Sequence, residues 1–94
     1  MEELKLIEGQ FSPTDAKELL LNLIGSKIQF HTNKNFSTEI CTGAPDIKSL
    51  EKIFSLRSTR ERLILILREA QNEDLSIEIK STVQIYFTDK AGAY

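Results

Sequence analysis

Apolar residues repeat along the chain first at a step of two, then at steps of three and four, and these rhythms divide it into elements. Leu4 and Leu6 share one side of a short first strand at about residues 4–10, with Lys5 on the other side, and Ile7 breaks the strict alternation. Ser12-Pro13-Thr14-Asp15 then reads as a helix start. Ser12 is placed to accept from the Asp15 amide, Pro13 fits the first turn, and Asp15 suits the positive end of the dipole. Ala16, Leu19, Leu20, Leu23 and Ile24 form one helical face, and Gly25 supplies a stop, so a helix is predicted over about 13–24. Lys27-Ile28-Gln29-Phe30-His31-Thr32 alternates as a half-buried strand at 27–32. Asn33 to Pro45 is rich in turn formers and reads as a long loop, with room for an extended piece around Glu39 to Thr42.

Asp46 is placed to cap a second helix over about 46–72. Ile53, Leu56, Leu63, Leu67 and Ala70 lie on one stripe, and neither Gly nor Pro interrupts it. A competing reading breaks this helix at Arg57–Arg62 and makes Arg62 to Arg68 a strand, because periodicity alone does not assign Leu63 to Leu67. The last pattern is the most regular. Leu75, Ile77, Ile79, Val83, Ile85 and Phe87 are all odd-numbered, and polar residues or Tyr86 fill the even positions between them. This predicts one long strand over about 75–87 rather than a hairpin at Lys80-Ser81-Thr82, which lacks Gly or Asn.

The faces decide the expected architecture. Strands apolar on one side and helices with one apolar stripe bury both stripes by covering one face of a sheet. The expectation is an α+β fold, a two-layer α/β sandwich in the order β-α-β-loop-α-β. Its three-stranded sheet carries two helices on one face. A single domain spans residues 1–88, and 89–94 form a flexible tail.

Composition changes this picture little. The 94 residues are 40% hydrophobic and 28% charged with net charge −2, which excludes collagen-like, disordered and membrane-spanning classes. No secretory leader pattern opens the chain, and the single cysteine, Cys41, makes no internal disulfide. A reduced, cytoplasmic protein is expected. The charge is uneven. From Lys48 to Arg68, Lys48, Lys52, Arg57, Arg60, Arg62 and Arg68 face only Glu51 and Glu61, so this segment is net +4 while both ends of the chain are acidic. Arg57, Arg60 and Arg62 are candidates for contact with an anion or an acidic partner. A solvated helix face, with Arg57 and Glu61 paired at i, i+4, is the plainer reading. No aromatic residue interleaves with these arginines, so nucleic acid is an alternative partner and not the favoured one.

His31, Glu39 and Cys41 are the one set resembling catalytic chemistry, since a Cys–His pair makes a nucleophile that a carboxylate can orient. No protease signature or glycine-rich oxyanion loop accompanies them. One His and one Cys are too few for a Cys/His zinc site, and the glycines form no phosphate loop. The expectation is therefore no catalytic residue, no metal ligand and no cofactor, with His31 on the polar face of a strand and Cys41 a half-buried filler.

The strings Gly9-x-Phe11-Ser12-Pro13, Ala16-Lys17-Glu18-Leu19-Leu20 and Ser26-Lys27-Ile28-Gln29-Phe30-His31 resemble a group of small uncharacterised bacterial proteins, mostly from Bacteroidota. Lys34-Asn35-Phe36-Ser37-x-Glu39 and Gly43 to Asp46 extend the likeness, which covers about residues 9–88. The group commonly has a longer charged helix where this chain has Arg57 to Leu67. The resemblance implies a small cytoplasmic bacterial protein and brings no activity with it.

Leu63 to Leu67 covers more of a helix circumference than one sheet contact needs. Ile64 and Leu65, off the main stripe, are the expected contact with a second subunit or another protein. The function expected is a non-enzymatic protein-interaction module acting as a homodimer. A nucleic-acid accessory protein using the arginine helix is the alternative. No membrane contact is expected.

Overall fold

Ser12 joins the first two elements. It follows a strand, β1 (Glu2–Phe11), and its hydroxyl oxygen accepts from the Asp15 backbone amide at 3.1 Å, with Pro13 opening the helix. That helix, α1 (Pro13–Thr42), is 30 residues long. It is followed by α2 (Ile47–Asn72) and β2 (Ile77–Ile85). The computed structural model describes residues 1–89. Residues 90–94, within the expected tail at 89–94, lie outside the described residues.

The order β-α-α-β corrects the expected three-stranded sheet and its helix boundaries. Residues 27–32 are helical, most of the expected loop at 33–45 is helical, and Gly25 ends nothing. A mid-helix glycine costs only about 1 kcal/mol against alanine, which packing readily offsets. The turn-forming residues are accommodated by bonds one helical turn apart. Gln29 Nε2 donates to Asn33 Oδ1 at 2.8 Å, and Asn35 Nδ2 to Glu39 Oε1 at 3.2 Å. Thr32 Oγ1 donates to the Ile28 carbonyl at 2.8 Å, and Thr42 Oγ1 to the Thr38 carbonyl at 2.7 Å. The helix stops at Gly43, whose left-handed backbone (φ 74°) lets its amide reach the Glu39 carbonyl at 2.8 Å. Asn35 also reaches across the connection, its Oδ1 accepting from the Asp46 amide at 2.7 Å.

The second helix lies where its pattern placed it. Asp46 caps it, accepting from the Ser49 amide and hydroxyl at 3.4 and 2.9 Å. Ile53, Leu67 and Ala70 are buried, Leu56 and Leu63 half-buried, and the helix runs unbroken through 63–67. The competing strand there is excluded.

The sheet is two antiparallel strands. Its register shifts once: Lys5 pairs with Thr82 and Ile7 with Ser81, leaving Leu6 as the extra residue of a bulge. The bulge is why alternation fails at Ile7. Paired residues share a face, so Leu4 (opposite Val83), Gly9 (opposite Ile79) and Phe11 (opposite Ile77) all lie on the face of the odd-numbered β2 residues. At the end near Phe11 this face packs on the helices. Ala16, Leu67 and Ile79 form the buried cluster, with Ile7, Phe11, Leu20, Leu63 and Ile77 against it.

The molecule is a thin plate, 50 × 31 × 14 Å, with a radius of gyration of 16.6 Å. A compact chain of this length has about 12 Å.

Candidate functional site

Two surfaces stand out, one apolar and one cationic. The apolar one begins on the sheet. Leu4, Val83 and Ile85 share the face that buries Ile79, yet they are 55%, 37% and 41% exposed because the helices do not reach them. It continues on α2. Ile47, Leu50, Phe54 and Leu65 fall within a narrow arc of the helix, away from the buried Ser49, Ile53 and Leu67. Phe54 is 79% exposed and Leu65 62%. On α1, Phe36 and Ile40 are exposed as well.

The two residues expected at an interface therefore differ. Leu65 stands in solvent on this second stripe. Ile64 is half-buried and lines a cleft at the start of α1 with Pro13, Lys17, Leu67 and Arg68.

Arg57, Arg60 and Arg62 are all exposed on α2. The Arg57–Glu61 pair is not formed among the described residues.

His31, Glu39 and Cys41 do not come together. All three lie on α1, so at about 1.5 Å per residue Glu39 is about 12 Å and Cys41 about 15 Å along the axis from His31. Glu39 holds Asn35, and Cys41 is exposed rather than a half-buried filler. Among the described residues there is no cluster of three or more groups able to hold a metal, and no helix long and apolar enough to cross a membrane.

His31 is not on a strand face, as its alternation suggested. It is half-buried on α1 beside α2, its ring meeting that of Phe30 edge-on at 5.1 Å and 80°. Around it lies the cationic surface. Lys27, His31 and Lys34 occupy one stripe of α1, at steps of four and three, and Lys48 and Lys52 one stripe of α2. The two stripes meet in a groove between the helices. Its larger part, of about 340 Å³, is lined by Leu23, Ser26, Lys27, Phe30, His31 and Lys52. A smaller adjoining part brings in Lys34, Lys48 and Ser49. Desolvation lowers the pKa of His31 from its ordinary 6.5, and Lys52, Lys27 and Lys34 lower it further, with Asp46 opposing. Asp46 is itself more acidic than usual, chiefly through its bond from the Ser49 hydroxyl.

Lys48 and Lys52 belong to the basic segment recognised in the sequence. Their partners on α1 were concealed by reading 27–32 as a strand, although the i, i+4, i+7 spacing of Lys27, His31 and Lys34 is a helical signal. No protein-family model matches the chain, and neither a curated protein nor a solved structure does.

Proposed function

We propose that this chain is a non-enzymatic protein-interaction module whose working form is a homodimer, acting in the cytoplasm. One observation carries the reading. The chain exposes 7592 Å², whereas a compact monomer of 10.7 kDa exposes about 5,500 Å². The excess, on the order of 2,000 Å² per chain, is the scale of an obligate dimer contact. Its character fits a second copy, because large apolar side chains remain open on the sheet face and on α2 together. The second stripe of α2, with Phe54 and Leu65, is the helix surface assigned to that contact. Catalysis has no part in this reading, since His31, Glu39 and Cys41 are dispersed along one helix.

Sedimentation equilibrium tests it. The wild type sediments as twice 10.7 kDa at micromolar concentration. Phe54→Glu with Leu65→Glu, both already exposed in the protomer, gives the single mass with helical circular dichroism retained. A wild type that remains monomeric at millimolar concentration overturns the proposal.

A further inference from the structure

We propose that the outer edge of β2 pairs with the same edge of a second copy, antiparallel about a two-fold axis at Ser81, to make one four-stranded sheet in the order β1-β2-β2-β1. The proposal rests on the homodimer reading above and says how the two copies join. A two-stranded sheet has two edges, each with backbone donors and acceptors that face away from the neighbouring strand. Among the described residues, no backbone hydrogen bond besides those of the sheet itself involves Ile77–Ile85.

The two edges are not alike. β1 carries the devices that keep an edge from pairing. The bulge at Leu6 and the positive φ of Gly9 interrupt its extended backbone, and Glu2, Glu3, Lys5 and Glu8 add charge along it. β2 is nine consecutive residues with neither Gly nor Pro and with no extra residue in its ladder. Its two charges, Glu78 and Lys80, form an ion pair with each other at 3.2 Å.

The residue pattern of β2 identifies the occupant as a second copy. Ser81 is the middle of the strand, so an axis there overlaps its whole length. Ile77 then lies opposite the partner's Ile85, Ile79 opposite the partner's Val83, and Ser81 opposite the partner's Ser81, all on the apolar side. On the other side Glu78 meets the partner's Gln84, and Lys80 the partner's Thr82. No like charges face each other. An axis at Lys80 would set lysine against lysine, and an axis at Thr82 would leave Ile77 and Glu78 beyond the end of the partner's strand. The axis stands perpendicular to the sheet, so both copies turn their apolar faces to the same side. The exposed Val83 and Ile85 then lie beside the partner's Ile79 and Ile77, at the end of its sheet that the helices cover. The open end of each sheet adjoins the core end of the other.

Cysteine cross-linking at the axis tests the pairing, in the full chain with Cys41→Ser so that the exposed native thiol takes no part. Ser81→Cys puts two thiols directly opposite, at a Cα separation of about 4.5–5.5 Å that a disulfide spans. Gln84→Cys puts its two thiols about 20 Å apart along the strands. Under mild oxidation Ser81→Cys is expected to form covalent dimer at least about tenfold faster than Gln84→Cys, with circular dichroism unchanged in both. Hydrogen exchange on the unsubstituted chain gives a second reading. The β2 amides that face away from β1 are protected at concentrations where the chain sediments as a dimer, and they lose protection on dilution. A wild type that sediments as a dimer while Ser81→Cys links no faster than Gln84→Cys, or while these amides exchange freely, overturns the edge pairing and leaves the homodimer reading standing. A wild type that remains monomeric at millimolar concentration overturns both.

Discussion

Leu4 and Val83 face each other across the two strands, on the side of the sheet that buries Ile79, and both lie open to solvent. The bulge at Leu6 makes this possible. Strict alternation would put Leu4 on the face opposite Ile7 and Phe11, and the extra residue brings all three to the same side. The sheet thus presents one largely apolar face, interrupted by Ser81 opposite Ile7 and by Glu2 opposite Ile85. One end rests on the helices, and the other is left for the second copy of the proposed dimer.

Val83→Lys follows from this arrangement. The side chain is already exposed in the protomer, so a lysine there disturbs folding by no more than about 0.5 kcal/mol. In the dimer it places a charge in an apolar contact. The dissociation constant is expected to rise about tenfold or more, measured by sedimentation velocity across a dilution series. Unchanged association would place this face outside the interface.

The two helix starts give a stability prediction. Ser12 is exposed, and its hydroxyl accepts from the Asp15 amide. Ser12→Ala should cost about 0.5–2 kcal/mol, read as a lower urea midpoint at unchanged slope. An equal midpoint would mean that water replaces the hydroxyl without cost.

Asp46 gives a pH prediction. Its folded carboxyl is more acidic than the ordinary 3.8, so the unfolded state takes up the proton first as pH falls. The stability it contributes is present above pH 3.8 and is lost as pH drops through the lower folded value. Asp46→Asn keeps a capping oxygen and removes this dependence. Urea midpoints of the two proteins should differ at neutral pH and converge in acid. A constant gap across that range would remove the charge from the explanation.

Where one local pattern outweighed its rivals, the fold was legible. Ser12-Pro13 and Asp46 mark both helix starts, the stripe of Ile53, Leu67 and Ala70 marks the buried side of α2, and the odd-numbered residues mark β2, although it spans Ile77–Ile85 and not the expected 75–87. Residues 27–32 carry a pattern that points to the wrong element. Ile28 and Phe30 alternate as in a strand, but on α1 they lie on opposite flanks, Ile28 half-buried and Phe30 open beside the groove. What decides between strand and helix is long-range. His31 and Asn35 lie against α2 and its entry, and local alternation carries no record of that. The true stop, Gly43 followed by Pro45, was present in the sequence, but Gly25 offered an earlier one. Losing α1 beyond residue 24 also hid the lysine groove, since Lys27, His31 and Lys34 align only on a helix.

These two glycines, with Gly9, separate conformational need from mere tolerance. Gly9 has φ +155°, a backbone region that side chains rarely adopt, two residues before the end of β1. A Cβ there would meet the Phe11 ring at 3.7 Å, an ordinary contact, so the objection to a side chain is strain and not space. Gly9→Ala should therefore destabilise by about 1–3 kcal/mol. Gly25 lies inside α1 with helical backbone, and a Cβ there meets nothing within 4 Å. Gly25→Ala should stabilise by about 0.5–1 kcal/mol, because alanine has less freedom to lose in the unfolded chain. Thermal and urea unfolding of the pair, at one protein concentration so that any dimerisation is held fixed, should move in opposite directions. A Gly25→Ala variant that lowers stability would overturn this account of residue 25.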